Sequence, residues 1–419
     1  MTRTSKDAAG TPDKSARACD IILFGATGFT GELTAEYLAQ HGGKKLRWGL
    51  AGRNLDKLAA VRERLTKLNP ACKDLPLLQA DVNDATALRE LAESTAVVIT
   101  TVGPYLTYGE PLVAACAAAG TDYVDLTGEP EFVDRMWLGY HAQARDTGAR
   151  IIHCCGFDSI PHDLGAWFTV QQLPAGVPLK VEGFVRAGGN FSGGTFHSAI
   201  TAMSRMRASR GIAQQRREHE TRPAGRRIGS THERVHRFNF AGKSMWAVPM
   251  PTVDPQIVRR SAAALERYGP DFRYGHYVLV KSLPGVAALI GGVGAMVLGA
   301  QLKPTRELLL KLKAPGEGPT PAQREKAWFK VQFVGEGGGA RVVTEVTGGD
   351  PGYGETSRML AESALSLVYD DLPGKGGVLT PAQVMGNALI ERLQKIGIRF
   401  SVVETSTIKS TSTRKGLKP

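Results

Sequence analysis

The sequence predicts an α/β protein: a doubly wound parallel sheet with a second α+β domain. From Asp20 to about Gly156, short β-rich runs alternate with amphipathic stretches of helical period, the rhythm of a sheet wound by crossover helices. The runs are apolar on both faces, as central parallel strands covered by helices are. After Gly156 the alternation gives way to longer strands, a hairpin and paired helices.

The strands of the first part read "DIILFGA", "RWGLAGR", "LPLLQADV", "AVVITTVG", "TDYVDLT" and "ARIIHCCG". The helices between them span roughly Gly28–Gln40, Leu55–Leu68, Ala85–Ala92, Glu110–Ala119 and Glu131–Thr147. Next come a helix in "SIPHDLGAWFTVQQL" and a strand in "LKVEGFVRAGG". "WFKVQFVG" and "GARVVTEVTG", joined by "EGGG", read as a β-hairpin. Two helices follow, "GETSRMLAESALSLVYDD" and "TPAQVMGNALIERLQKIG", the second capped by Thr380 with Pro381 in its first turn. "IRFSVVET" reads as the last strand, and the tail after it as frayed. This divides the chain into a flexible tail (1–18), a nucleotide-binding domain (19–157), a substrate- or lipid-facing domain (158–350) and a C-terminal segment that packs back on the core (351–419).

Of the 419 residues, 42% are apolar, enough to bury a sizeable core. The formal net charge is +12, but no zinc-finger, RNP or basic-zipper pattern accompanies it, which argues against nucleic acid. The five cysteines are irregularly spaced without a C-x-x-C, so neither a disulfide framework nor a metal site is expected, and a reducing, cytoplasmic setting fits. The polar N-terminus has no apolar core of a secretory signal.

Two stretches depart from this background. Arg205 to Arg237 carries ten arginines against three glutamates, either a solvated excursion or a surface for anions such as lipid headgroups or a carrier-protein phosphopantetheine. Ser282 to Leu302 holds 21 uncharged residues between Lys281 and Lys303, among them five glycines. That length reads as an internal core or dimer helix, a segment docked on a lipid surface, or a membrane span. A span would separate elements of one domain.

The chemistry begins at "GATGFTG". Gly25 permits a tight turn after the first strand, Gly28 lets the backbone approach a pyrophosphate, and Gly31 lets the helix pack closely on the strand. The helix N-terminus aims N–H groups and a positive dipole at phosphate, and Thr27 adds a hydroxyl. The second strand ends in Arg53 where an NAD enzyme places an acid, which favours the 2′-phosphate of NADP(H). Asp81 and Val82, at the end of the third strand, lie where adenine would sit. Gly103 and Pro104, after the fourth, form a close-approach turn beside the nicotinamide ribose. Tyr105 and Tyr108 come next, either as proton donors at the reacting ring or as an aromatic plug under the loop. Past the sixth strand stand Asp158, Ser159 and His162; Ser159 reads as a further donor or as a helix start before Pro161. Cys154 and Cys155 read as inert buried hydrophobes.

"GATGFTG", "LAGRN", "TTVGPYLTYGEPLVAACAAAGTDYVDLTGE" and "GFDSIPHDLG" together resemble the saccharopine dehydrogenase-like family. "IVRRSAAALERYGPDFRYGHYV" and "LTPAQVMGNALIERLQKIGI" make the chain look most similar to its trans-acting enoyl reductases. The resemblance implies a Rossmann NADP-binding domain followed by an α+β domain. It also implies reduction of a carbon–carbon double bond in a lipid or polyketide, of glycolipid type, presented by a synthase or carrier protein. Tyr105, Tyr108 and Ser159 are the catalytic candidates read from the residues themselves. Two other readings are a saccharopine-type amino-acid or imine reductase and a lipid-surface protein that keeps the nucleotide fold without turnover. A homodimer and peripheral contact with a membrane through 282–302 are further expectations.

Overall fold

A computed structural model describes residues 14–188, 193–221, 223–232, 234–311 and 319–408. Most of the expected N-terminal tail and of the frayed C-terminus lies outside them. Six strands open the first sheet: β1 (Cys19–Phe24), β2 (Trp48–Gly52), β3 (Leu77–Gln79), β4 (Thr95–Thr100), β5 (Asp122–Asp125) and β6 (Arg150–Ile152). All their pairings are parallel. The intervening helices are Phe29–His41, Leu55–Leu68, Ala85–Ser94, Glu110–Ala119 and Pro130–Thr147.

Local chemistry sets the helix ends. The Asn54 side chain accepts from the Lys57 N–H, and Asp84 accepts from Thr86 and Ala87, each satisfying donors that a helix start leaves unpaired. Gly120 closes its helix in the left-handed region at φ 69°, a conformation that costs glycine little. β1, β2 and β4 are buried almost throughout, which is why they read as continuous apolar runs.

The second sheet contains β7 (Leu179–Gly188), β8 (Arg227–Ser230), β9 (His236–Phe240), β10 (Lys243–Pro249), β11 (Asp271–Val280), β12 (Trp328–Gly337) and β13 (Ala340–Gly348). The chain then returns: β14 (Gly377–Leu379) pairs in parallel with β6 as a seventh strand of the first sheet. β15 (Arg399–Thr407) ends the second sheet beside β13. The first sheet runs β14-β6-β5-β4-β1-β2-β3, and the second β15-β13-β12-β7-β11-β10-β9 with β8 on β11. Sequence reading missed β14, a three-residue strand too short to show a period.

The helix Ile160–Gln171 leaves the carboxyl end of the first sheet and packs across β7, β12 and β13. The helix Gly354–Tyr369 comes back against β4 and β5. The two sheets therefore share a continuous apolar core that runs from Ile21 and Leu23 through Ile160 and Leu164 to Phe329 and Phe333.

The arginine-rich stretch is docked rather than simply solvated. Its helix, Met206–His219, lies along Pro130–Thr147. Arg216, nearly buried, places Nε 2.6 Å from Asp134 Oδ1, and Arg205 pairs with Glu131. Arg226 donates to the carbonyls of Ala262, Ala263, Leu265 and Gly269.

The apolar stretch forms one helix, Leu283–Gln301, with mean hydropathy 1.9 over an 18-residue window that is only 11% buried. Within it Val286 and Ala300 alone are buried, so it is not a core helix of this chain. Strands β11 before it and β12 after it both pair with β7. That shared partner returns the chain to one sheet, an arrangement that disfavours a span.

Candidate active site

The strand order reverses between β1 and β4: the chain steps outward through β2 and β3, then crosses to β4 on the other side of β1. Such a switch point opens a crevice beyond the carboxyl ends of the strands, where ligands bind in open α/β sheets. The glycine turn sits there. Gly25 adopts φ 92°. A Cβ on it would meet Val102 Cγ2 at 2.7 Å and Thr101 Oγ1 at 2.8 Å. A Cβ on Gly31 would stand 2.2 Å from the Gly25 carbonyl, so the helix seats only on glycine. A Cβ on Gly28 would meet nothing nearer than that carbonyl, at 3.5 Å, and Gly28 is exposed. The chain needs no glycine there for its own packing, and the open side fits the close approach of a pyrophosphate. Gly28 begins the helix without a side-chain cap, leaving the N-terminal N–H groups to a ligand. Thr101 Oγ1 donates to the Gly25 carbonyl at 3.0 Å and braces the turn from β4. Thr27 is exposed beside it.

Arg53 projects from the tip of β2 with its side chain 80% exposed, its Nε 3.9 Å from Asp81 Oδ2. That distance is a loose ion pair, which a phosphate can displace. Asp81 Oδ1 accepts from the backbone and side-chain amides of Asn83, so part of its capacity is spent on its own turn. Val82 is half-buried beside it. The donor set fits NADP(H): helix N–H groups for the pyrophosphate and an exposed, loosely paired guanidinium for the 2′-phosphate. Arg53→Ala is expected to weaken NADPH about 10- to 100-fold, the worth of a charge-assisted contact, and to leave NADH nearly unchanged. Equal losses for both nucleotides in a calorimetric titration would remove the 2′-phosphate assignment.

Gly103 and Pro104 form the turn after β4, joined by a cis peptide. Glu129, fully buried, fixes the chain just beyond that turn: its two carboxylate oxygens accept from the Tyr105 and Leu106 N–H groups at 3.1 and 2.8 Å. Tyr105 is a correction to the sequence reading. Its ring is buried against Phe132, its hydroxyl donates to the Thr100 carbonyl, and it accepts from the Leu126 N–H. Burial also pushes its pKa well above the ordinary value. Tyr105 is the plug under the loop, not a proton donor. Tyr108, at the end of the same short turn, stays 42% exposed on the rim.

The loop after β6 is held by Asp125, whose Oδ1 accepts from the Thr127 and Cys154 N–H groups and whose Oδ2 contacts Tyr123 Oη and His153 Nδ1. Cys154 and Cys155 are buried, and burial raises both thiols well above the ordinary range, so they pack as hydrophobes. Ser159 starts the Ile160–Gln171 helix through its backbone, but its side chain caps nothing, and Oγ is buried without a partner among the described residues.

Four residues here were not picked as site residues from the sequence. Asp158, joined to Ser159 by a cis peptide, keeps partial access to solvent, and a Cβ on Gly128 would face its Oδ2 at 3.5 Å. It thus stands between the ends of β5 and β6. Desolvation, and then the Asp254 carboxylate, push its pKa up to about 8. Behind it lie Asp254 and His276, brought in by the second domain, with His162 from the connecting helix. Burial pushes both imidazoles down to about 3, so His162 is neutral and is not an acid. Both nitrogens of His162, Asp254 Oδ1 and His276 Nε2 are buried without hydrogen-bond partners among the described residues. Each orphaned polar atom costs about 1–3 kcal/mol, so four in one place mark a spot that needs an occupant. Asp254 and His276 escape sequence reading because they sit on separate elements with no spacing motif. "VDPQIVRR" and "YGHYV", near or within the resemblance segments, were the only signal.

Residues 21–152 match the family described as the saccharopine dehydrogenase NADP binding domain. Rv2449c of Mycobacterium tuberculosis, provisionally assigned as a trans-acting enoyl reductase, is 41% identical over 418 residues, 93% of this chain and 99% of its own. The trans-acting enoyl reductase of Mycobacterium ulcerans is 36% identical over 414 residues, 92% of this chain and 98% of its own. Among solved structures, apo saccharopine dehydrogenase (L-Glu forming) from Saccharomyces cerevisiae superposes with a TM-score of 0.56 at 13% identity. The match covers 92% of this chain and all of that one; at that identity the likeness is one of fold.

Proposed function

Because the chain belongs to the trans-acting enoyl reductases of the saccharopine dehydrogenase-like family, we propose that it is an NADP(H)-dependent reductase of the C=C bond of an α,β-unsaturated acyl group, carried on a lipid or polyketide intermediate that a separate synthase makes. The observation that carries this reading is the turn at Gly25, Gly28 and Gly31, open for a pyrophosphate at the switch point, with Arg53 exposed at the next strand tip. When bound, NADPH supplies the hydride, which goes to the β-carbon as electrons shift toward the carbonyl oxygen. The chain's residues then have two tasks: to hold that oxygen as charge develops and to pass a proton to the α-carbon. Asp158 is the group for the proton. It stands at the strand ends with partial access, and its raised pKa keeps the carboxyl protonated near neutral pH. Ser159 Oγ and Tyr108 on the rim are the hydroxyls for the oxygen.

A saccharopine-type reaction needs cations to clamp several carboxylates. The side chains gathered behind Asp158 are Asp254, His162 and His276, which offer no guanidinium or ammonium group for such a clamp. The test is NADPH oxidation by purified protein. Turnover with an enoyl thioester, and none with an amino acid plus a keto acid, is expected; the reverse would establish the amine-forming reaction. NADPH binding with no turnover in a broad screen would favour the protein without catalysis.

The partner that presents the substrate shares a lipid surface with it in this reading. The helix Leu283–Gln301 leaves Leu283, Ile290 and Leu298 exposed, and Lys281, Lys303, Arg306 and Lys311 flank it. Apolar residues beside basic ones suit the interface of an anionic bilayer, where each Lys or Arg near the surface adds about 1 kcal/mol. In this reading the protein is cytoplasmic and peripheral on a membrane. Flotation with vesicles containing anionic phospholipid is expected to carry the wild type and to lose the Ile290→Asp, Leu298→Asp double variant. Unchanged flotation, or a monomer–dimer shift in the variant with no change in lipid binding, would make the helix a dimer face instead.

A further inference from the structure

The geometry points to a divalent transition-metal site, suited to Zn²⁺, formed by His162, Asp254 and His276. One ligand atom from each lies within 4.8 Å of the other two, and all three side chains are buried. His162 Nε2 is 3.7 Å from Asp254 Oδ1, and His276 Nε2 is 3.6 Å from Asp254 Oδ2. These separations are too long for hydrogen bonds. They are close to the edge of a tetrahedron around Zn²⁺, about 3.3–3.4 Å for metal–ligand bonds of about 2.0–2.1 Å. Each histidine–aspartate pair, one on each carboxylate oxygen, would contract by a few tenths of an ångström, while the three single ligand atoms, now within 4.8 Å of one another, have farther to close.

The surroundings prepare the ligands. Tyr274 Oη is 3.1 Å from His276 Nδ1, and when Nδ1–H donates to that hydroxyl, Nε2 presents its lone pair to the centre. Thr252 Oγ1 donates to Asp254 Oδ2 and holds the carboxylate from outside. Phe157 meets the His162 ring edge-on at 5.2 Å and fixes its plane. His162 Nε2, Asp254 Oδ1 and His276 Nε2 have no hydrogen-bond partner among the described residues, so the atoms a cation would take are the ones left over. Two imidazoles and a carboxylate form a donor set for zinc and its neighbours rather than for Ca²⁺ or Mg²⁺. Three protein ligands leave a fourth position for water.

The three ligands come from the helix Ile160–Gln171, the start of the helix Asp254–Ala264 and β11. A cation here would tie the connecting helix to the second domain and stiffen the loop that carries Asp158 and Ser159. The inference does not depend on the reduction reaction. A cation bound there opposes the contribution of Asp254 to the raised Asp158 pKa, while the larger cause, desolvation, remains.

The experiment uses the full chain and Zn²⁺ itself. Protein stripped with a chelator and dialysed against Zn²⁺ is expected to retain about one ion per chain by elemental analysis and to melt at a higher temperature than the stripped form. Co²⁺ in its place is expected to give the visible d–d absorption of a low-symmetry four-coordinate site. His276→Gln and Asp254→Asn should each weaken the ion at least about 10-fold and abolish that absorption. No stoichiometric ion, no shift in melting and no Co²⁺ band in the wild type would overturn the site and leave a bridging water as the occupant. An ion kept equally by both variants would place it elsewhere and overturn it too. The wild-type measurements decide the matter even if a variant does not fold.

Discussion

Gly31→Ala is expected to abolish NADPH binding and to lower the melting temperature, while Gly28→Ala should abolish binding alone. The contrast lies in where each new methyl group would go. At Gly31 it would stand 2.2 Å from the Gly25 carbonyl, 2.9 Å from Thr101 Oγ1 and 3.0 Å from Ala26 Cα. Two of those atoms are backbone, so the turn must move off β1, at an overpacking cost of about 1–3 kcal/mol. A displaced turn no longer aims its N–H groups at the pyrophosphate. At Gly28 the methyl group meets only the Gly25 carbonyl, at an ordinary 3.5 Å. The apo protein therefore keeps its stability, and the loss appears only when phosphate must occupy the same volume. Melting curves and nucleotide titrations on the two variants separate these outcomes. A Gly28→Ala protein that bound NADPH as the wild type does would put the cofactor somewhere other than this turn.

Asp158→Asn is expected to reduce kcat by about 10²- to 10⁴-fold, the usual contribution of a positioned acid, with NADPH affinity within about twofold of the wild type. Asparagine keeps the size and much of the hydrogen bonding of a protonated carboxyl but cannot release a proton. Asp158 lies in the loop after β6, whereas the phosphate turn follows β1, so nucleotide affinity is the control. Single-turnover NADPH oxidation with an enoyl thioester measures the chemical step. An unchanged rate would pass the role to Tyr108 or Ser159, and Tyr108→Phe and Ser159→Ala would then be the variants to compare.

The first domain could be read from the sequence because its signals are local. Leu55–Leu68 and Glu110–Ala119 match the structure end to end, since a capping side chain or a proline marks the start and a left-handed glycine or an asparagine marks the end. The glycine turn was readable for the same reason: three glycines within seven residues, two at close approaches and one on the open side. The catalytic side was not. Tyr105 comes after a loop at the right strand end, but its direction is set by Glu129, a buried carboxylate twenty-four residues away that pulls its N–H inward. His276 reaches the site through the pairing of β11 with β7, and Asp254 through the packing of its helix on Ile160–Gln171 and β11, neither of which periodicity encodes. The helix Leu283–Gln301 illustrates a different limit. Apolar composition gives its length, but whether it is covered depends on neighbours, and here they leave it bare.

The late return of the chain through β14 and β15 also governs the order in which the molecule can be made. β6 has a free edge until residues 377–379 arrive, and β13 has one until residues 399–407 do. Neither sheet has all its strands before residues 377–407 are made. Both therefore present strand edges to other nascent chains at that stage. The segment 377–407 acts as a common latch, and both halves reach their finished form only after it is made, although most of the nucleotide-binding half is synthesised first.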